Sequence, residues 1–137
     1  MALQLSVDVR NARLNAIETE IGASPILKIY DLTGAAPANC AAAIVGTVLA
    51  TLNLPADWMA AAAAGAKAKS GTWEDLAADA AGTADFFRVY ETTDTDCEIQ
   101  GTVTITGGGG DLTLDNPVLA AGQAVEITGF TLTDGNA

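Results

Sequence analysis

The chain has 137 residues, half of them apolar, with six Lys and Arg against seventeen Asp and Glu, no histidine, and a formal net charge of −11. This length fits one domain, and the acidic balance opposes phosphate backbones and anionic lipid surfaces, so neither nucleic acid nor a membrane is expected as a partner. No apolar run approaches the roughly 20 residues of a membrane-spanning helix.

The start of the chain and its cysteines indicate a cytoplasmic origin. Residues 1–4 lack the charged start and apolar middle of a signal peptide. Cys40 and Cys97 are too few for a disulfide scaffold and show no CxxC spacing. Buried free thiols are therefore expected, with a bridge between them as the alternative.

The first predicted element is a helix over residues 6–21, within an N-terminal helical arm of residues 1–22. Ser6 can cap it, Asp8 suits the positive first turn, and Gly22 can end it. Its predicted apolar stripe consists of Leu14, Ile17 and Ile21, extended by Val7 and the stem of Arg10.

This helix is expected either to pack over an open end or face of a sheet or to dock as an arm on another subunit. Arg10 and Arg13 together hold a third of the positive charge. An acidic neighbour would therefore meet the chain here.

Residues 23–137 are predicted to form a single β-sandwich domain. The first strand, ILKIY, follows Pro25 and turns Leu27 and Ile29 inward. Residues 33–46 are rich in small residues and predict a surface loop. A second strand, VLATLNL, follows and ends at Pro55.

The middle of the chain is ambiguous between helix and strand. We interpret residues 57–64 as a helical turn, followed by an edge strand to Trp73 that Lys67 and Lys69 protect. Trp58 and Trp73 are expected in or near the core, and the alternative for either is an anchor at a protein interface. Residues 74–85 are acidic and alanine-rich, which predicts a projecting loop.

Residues 97–115 carry the clearest strand pattern. In CEIQGTVTIT, apolar or small residues alternate with polar ones from Cys97 onward, which is typical of a strand with one buried face. Four glycines, 107–110, then allow the backbone to reverse before DLTLD. This pattern predicts a β-hairpin or a corner between two sheets.

Two further strands complete the predicted sheet. FFRVYE turns Phe87 and Val89 inward. AVEITGFTLT closes the domain and is predicted to switch its inward face near Gly129 through a bulge. The fold class is therefore mainly β, a β-sandwich or jelly-roll-like fold with one N-terminal amphipathic helix.

Candidate chemistry is sparse. Without histidine, the commonest general base and metal ligand is missing. Asp94 and Asp96 fall in a predicted turn, where aspartate commonly bonds to its own backbone. As alternatives, Asp94, Asp96 and Glu98 could act as paired carboxylates, and either these three residues or Asp111 with Asp115 could bind calcium. The glycine run lacks the Lys-Ser/Thr ending of a phosphate cradle. No catalytic residue, cofactor or metal is predicted.

Three stretches nevertheless carry a family likeness: LQLSVDVRNARLNAIETEIG at 3–22, LPADWMAAAAAGAKAKSGTWED at 54–75 and IQGTVTITGGGGDLTLDN at 99–116, with the ending ITGFTLTDGNA. Over nearly its whole length the chain resembles small virion proteins encoded among the head genes of tailed bacteriophages and prophages. The resemblance implies no enzymatic activity. It implies a decoration or cement protein on the capsid exterior, assembled in the host cytoplasm, that binds the major capsid protein and bridges capsomers as a dimer or trimer at symmetry axes.

Exposure and composition, independently of that resemblance, suggest contact residues on the helix, around Trp58 and at the start of the acidic loop. The candidate interface residues are Arg10, Arg13, Leu14, Ile17, Trp58, Glu74 and Asp75. Two alternatives remain open: a tail tube, terminator or fibre-associated protein of a phage, and a carbohydrate-binding module whose loops present Trp and Asp.

Overall fold

The computed structural model describes residues 1–136, in which one helix precedes a series of short strands. The helix, α1, spans Val7–Ile21. The strands are β1 (Ile26–Leu32), β2 (Gly46–Asn53), β3 (Ala66–Ala68), β4 (Trp73–Asp75), β5 (Gly82–Thr83), β6 (Phe86–Tyr90), β7 (Cys97–Ile105), β8 (Leu112–Leu114), β9 (Val118–Leu119), β10 (Val125–Ile127) and β11 (Thr131–Thr133). The prediction of a mainly β chain with one N-terminal helix is confirmed, and a jelly-roll order of strands stays a prediction.

Five strands form the main sheet, in the order β2-β1-β6-β7-β8. The others pair two by two, β10 with β4, β11 with β3 and β5 with β9. All pairs are antiparallel except β7 with β8. The short strands therefore surround one larger sheet.

The core lies against one face of the five-stranded sheet. Leu27, Ile29, Phe87 and Val89 are buried on that face, as the alternation predicted. Aromatic rings cover them, and the rings of Phe87 and Phe130 meet edge to face at 5.9 Å. Burying such side chains is the main favourable term in the stability of the domain.

Local chemistry sets both ends of α1, as predicted. The Ser6 hydroxyl accepts from the Val9 N–H at 3.3 Å. Gly22 takes φ 85°, which suits glycine at a helix end, and its N–H donates to the Glu18 carbonyl at 2.9 Å. Leu14 and Ile21 are buried under the helix, but Val7 is exposed, so its predicted place on the apolar stripe was wrong.

The glycine run does not make an antiparallel hairpin, because β8 runs parallel to β7 with Val103 opposite Leu112. The loop instead doubles back along β7. The Gly110 N–H donates to Thr104 Oγ1 at 3.0 Å, and Asp111 Oδ2 accepts from the Thr102 N–H at 2.9 Å. The chain thus returns to the level of Thr102 before it starts β8 in the same direction.

The segment around residues 57–69 also differs from prediction. Residues 57–64 contain no helical turn; isolated bridges join Met59 to Lys69 and Ala63 to Ala66. Lys67 does not protect an edge: β3 pairs with β11, and the Lys67 side chain is 1% exposed. Its polar partners on α1 and at Ala60 allow this burial.

The acidic connection at 74–85 does not project. It contains β4 and β5, and its centre is bonded to neighbouring strands: the Ala78 N–H donates to the Gln123 carbonyl and the Asp79 N–H to the Leu49 carbonyl. The inward face changes near Gly129, as predicted, but not through a bulge in one strand. The chain passes there from β10, which pairs with β4, to β11, which pairs with β3.

Candidate interface

The exposed side of α1 carries two of the suggested contact residues, Arg13 and Ile17, together with Val9, which the sequence analysis did not select. Val9, Arg13 and Ile17 are spaced four residues apart and therefore share one face of the helix. Val9 is exposed, the Arg13 side chain is 61% exposed, and Ile17 is partly buried. Leu14 lies under the helix, so it supports this face and is not itself available to a partner.

A groove of about 280 Å³ runs between α1 and β11. Its lining residues are Arg13, Leu14, Ile17, Thr133 and Asp134. Arg13 Nε pairs with the Asp134 carboxylate at 3.3 Å across the groove. Three of the predicted contact residues are therefore brought together at one place.

Arg10 fixes the end of the chain beneath this groove. Its Nη1 donates to the Asp134 carbonyl at 2.9 Å, and its Nε is buried without a hydrogen-bond partner. Leu5 and Asn136 form two further hydrogen bonds. The Leu5 N–H donates to Asn136 Oδ1 at 2.8 Å, and Asn136 Nδ2 donates to the Leu5 carbonyl at 2.9 Å. Arg10 therefore acts as a clamp between the two ends of the chain.

Trp58 is not at the surface, so its interpretation as an interface anchor was wrong. The side chain is completely buried, and its indole N–H donates to the Gly22 carbonyl at 3.0 Å. Its ring centroid lies 6.0 Å from that of Trp73, and the Trp73 ring lies 5.5 Å from the tilted ring of Phe130. The core interpretation of both tryptophans is confirmed.

Glu74 and Asp75 lie on β4, away from the elements that line the helix groove. Glu74 is exposed and stands directly opposite Glu126 of β10. Asp75 accepts from the Thr51 N–H at 2.9 Å, so it ties β4 to the edge of β2. Of the two, Glu74 is the one free to meet a partner, and the adjoining Leu76 is 72% exposed.

All six Lys and Arg side chains are engaged within the chain. Besides Arg10 and Arg13, Lys28 pairs with Asp94 at 2.6 Å and Lys69 donates to the Gly71 carbonyl at 2.7 Å. Lys67 and Arg88 are buried. Every positive side chain therefore has a partner within the chain, even the exposed Arg13, and the larger number of carboxylates gives the surface its negative sign.

Two buried polar centres escaped the sequence analysis. Lys67 Nζ pairs with Glu18 at 2.7 Å and donates to Asn15 Oδ1 at 2.9 Å. Arg88 Nη2 donates to Gln100 Oε1 at 2.9 Å. Their strand spacing predicted a solvent-facing position for both. The sequence carries no signal of either set of partners, because Arg88 lies opposite Gln100 only through the register of β6 with β7.

The carboxylates considered for catalysis or calcium serve local structure. Asp94 takes φ 60° in a turn closed by its N–H to the Glu91 carbonyl at 2.9 Å, which confirms the predicted turn. Its carboxylate pairs with Lys28, however, and the N–H groups of the turn bond to the Glu91 carboxylate. Hydrogen bonds from the Thr102 backbone and hydroxyl lower the pKa of Asp111. Asp115 accepts from the Thr106 hydroxyl at 2.9 Å.

Within residues 1–136, no group of three or more Cys, Asp or Glu side chains is arranged to hold a metal ion. In the same range no helix has the length and apolar character to cross a bilayer. Two further open grooves are present. One, of about 190 Å³, lies between residues 114–119 and residues 123–126. The other, of about 380 Å³, lies between β7 and β11.

No protein-family model, curated protein or solved structure matches the chain.

Proposed function

We propose that the protein decorates the capsid of a tailed bacteriophage, where it binds the major capsid protein from outside and bridges neighbouring capsomers without catalysing a reaction. The resemblance of residues 3–22, 54–75 and 99–116 to small virion proteins motivates the proposal. The observation that carries it is the charge arrangement, because every Lys and Arg is engaged internally while the net charge is −11. Such a surface repels packaged DNA and favours basic or neutral protein surfaces.

The proposed docking face is the stripe of Val9, Arg13 and Ile17 with the groove beside it. It combines exposed apolar surface with an arginine whose charge is already balanced by Asp134. Such a contact is small for a stable complex, which commonly buries about 800 Å² on each partner. Many copies in a closed lattice compensate, because each bound copy raises the effective concentration of its other contacts.

The copy number of the protein in purified phage particles tests the proposed position on the capsid. Particles of the phage or prophage that encodes the chain are separated from free protein, and quantitative mass spectrometry compares it with the major capsid protein. The proposal expects hundreds of copies. A handful of copies would place the protein at the tail or one vertex, and its absence from particles would remove it from the virion; either result overturns the proposal.

Matched surface variants test the docking face. Val9→Asp and Val118→Asp each add one negative charge at an exposed valine, on α1 and on β9 respectively. Cosedimentation with undecorated capsids should show at least about a tenfold loss of affinity for Val9→Asp and little change for Val118→Asp. The opposite pattern, in two variants with the circular dichroism of the parent, would reject this face.

Deleting the helix is a poor substitute for these variants. Leu14 and Ile21 belong to the buried core, and Asn15 and Glu18 satisfy the buried Lys67. A chain without α1 would lose binding through unfolding, whichever face docks.

A further inference from the structure

A bulge in the main sheet decides which way Cys97 faces. Simple alternation would turn Cys97 toward the core with Ile99. The register between β6 and β7 instead shifts between Val89 and Tyr90, so that Tyr90 pairs with Cys97 while Arg88 pairs with Gln100. Cys97 therefore shares the outer face of the sheet with Arg88 and Gln100.

The loop that contains Cys40 is docked on the same face. Arg88 Nη2 donates to the Ala42 carbonyl at 2.7 Å and the Asn39 carbonyl at 3.2 Å, on either side of Cys40. Gln100 Nε2 adds a bond to the Pro37 carbonyl at 2.9 Å. Two side chains of adjacent strands thus hold the turn over this part of the sheet.

The two thiols meet beneath that turn. Cys40 lies between Asn39 and Ala42, whose carbonyls Arg88 binds, and Cys97 lies on the same face of the sheet near Arg88. The Cys97 Sγ donates to the Ile99 carbonyl at 3.4 Å. Both cysteines are free and partly buried. A disulfide requires the two sulfurs to lie roughly 2.05 Å apart, so its formation draws the turn toward β7.

We propose that Cys40 and Cys97 are a redox-modification site, which oxidation converts to an intrachain disulfide that locks the loop of residues 33–45 to β7. With oxidised glutathione as the oxidant, one Cys thiolate attacks a glutathione sulfur and releases one glutathione thiolate. The second Cys thiolate then attacks the mixed disulfide and releases the other. The protein loses two protons and two electrons, and one glutathione disulfide becomes two thiols.

The surroundings of Cys97 set the conditions for this step. Burial and the hydrogen bond with Cys40 raise the pKa of Cys97 to about 12. Cys97 is therefore protonated at neutral pH, and its oxidation accelerates as the pH rises, since the thiolate is the nucleophile. Both sulfurs belong to one chain, so the inference does not depend on the proposed capsid role.

Glutathione equilibration of the full chain tests the site. Protein reduced with a phosphine is desalted without air and equilibrated with glutathione redox buffers at pH 8, both folded and in guanidinium. We expect a loss of about 2 Da and a tryptic link between positions 40 and 97. A disulfide that closes a loop of roughly 57 residues costs the unfolded chain conformational entropy that the folded chain has already lost. The equilibrium constant for oxidation by glutathione should therefore be at least about 100-fold larger in the folded chain than in guanidinium, and the disulfide should raise Tm by about 5–15 °C.

Single and double serine variants provide the controls. Cys40→Ser, Cys97→Ser and the double variant should keep the fold of the reduced parent and show no change of Tm with oxidant. Three results would overturn the proposal: glutathione adducts without an intrachain link, disulfide-linked dimers in place of that link, or equal oxidation constants in the folded and unfolded chains.

Discussion

Single side chains hold charge inside this protein in an unusual way. Lys67 is 1% exposed, yet its ammonium group has three partners, Glu18 at 2.7 Å, the Ala60 carbonyl at 2.8 Å and Asn15 Oδ1 at 2.9 Å. An ammonium group has three N–H donors, so this set satisfies it completely. Because two partners come from α1 and one from the segment before β3, one lysine joins the helix to the body.

Removing that ammonium group should loosen the helix. Lys67→Met keeps the apolar stem but leaves the Glu18 carboxylate and the Ala60 carbonyl without their partner. We expect the free energy of unfolding to fall by about 2 kcal/mol, below the usual value for a broken buried pair since Glu18 is partly exposed. Urea unfolding measures the change, and adding Glu18→Gln should recover part of it.

Lys69→Met is the matched control for this substitution. Lys69 lies two residues away and contacts the Gly71 carbonyl and the face of Trp73 at a more exposed position. Its loss should cost less than about 1 kcal/mol. Equal losses for the two variants would show that the ammonium of Lys67 has no special part in attaching α1.

The hydrogen bonds to the Glu91 carboxylate predict that the stability of the folded chain depends on pH. Hydrogen bonds from the Thr93 hydroxyl and from the Thr95 and Thr93 N–H groups lower the pKa of Glu91. The ordinary glutamate pKa is about 4.3, so the contribution of these bonds to stability is fully present above that pH and is lost as the pH falls toward the lower folded value. Between pH 5 and 3, wild type should therefore lose stability more steeply than Glu91→Gln.

Urea unfolding at several pH values measures both slopes. Glu20→Gln, at an exposed position of α1, controls for the removal of one negative charge. Parallel curves for wild type and Glu91→Gln would contradict the assignment of this turn as an acid-sensitive point.

At the scale of elements, the connection between β7 and β8 depends on the absence of side chains. A Cβ at Gly110 would lie 2.8 Å from Thr104 Oγ1 and 3.0 Å from the Thr104 backbone nitrogen. Gly110→Ala should therefore lower the free energy of unfolding by about 1–3 kcal/mol, because the loop can no longer return along β7.

Gly34→Ala is the control for that variant. A Cβ at Gly34 meets nothing within 4 Å, and the residue does not have positive φ. The substitution should be neutral or slightly stabilising, since it restricts only the unfolded chain. Chemical denaturation compares the two, and a harmless Gly110→Ala would mean that the close return of the loop is not required.

Elements with local determinants could be predicted from the sequence, and those set by distant partners could not. Ser6 and Gly22 mark the two ends of α1 through hydrogen bonds to residues close in sequence. The alternation of Leu27 and Ile29 with residues of the opposite face is enough to identify β1. The glycine run permits a reversal without selecting its direction, which depends on Thr102 and Thr104 bonding the returning chain. The burial of Lys67 was hidden because its partners on α1 lie far away in the sequence.

The same distinction explains the candidate interface. Arg13, Leu14 and Ile17 meet at one groove because helical spacing already places them along one side of α1. Glu74 and Trp58 were grouped with them by composition alone. The fold puts Glu74 on a separate strand pair and Trp58 inside the aromatic core, positions that depend on long-range pairing.

The negative charge of the whole molecule is not balanced, because seventeen Asp and Glu face only six Lys and Arg. Pairs such as Glu74 opposite Glu126 bring like charges together across two strands, which is destabilising. Three ion pairs occupy Arg13, Lys28 and Lys67, while Arg10, Lys69 and Arg88 bond to neutral acceptors, so most carboxylates have no positive partner. Folding therefore compresses a charge of −11 into one small domain.

Screening this repulsion should stabilise the folded chain. Sodium chloride at 0.5 M shortens the Debye length to roughly 4 Å, so we expect Tm to rise by about 2–5 °C relative to 20 mM salt. Differential scanning calorimetry measures the shift at pH 7. Calcium chloride at 1 mM separates screening from cation binding, because it changes ionic strength little. A Tm that ignores sodium chloride, or that rises as far with 1 mM calcium, would refute diffuse repulsion as the destabilising force.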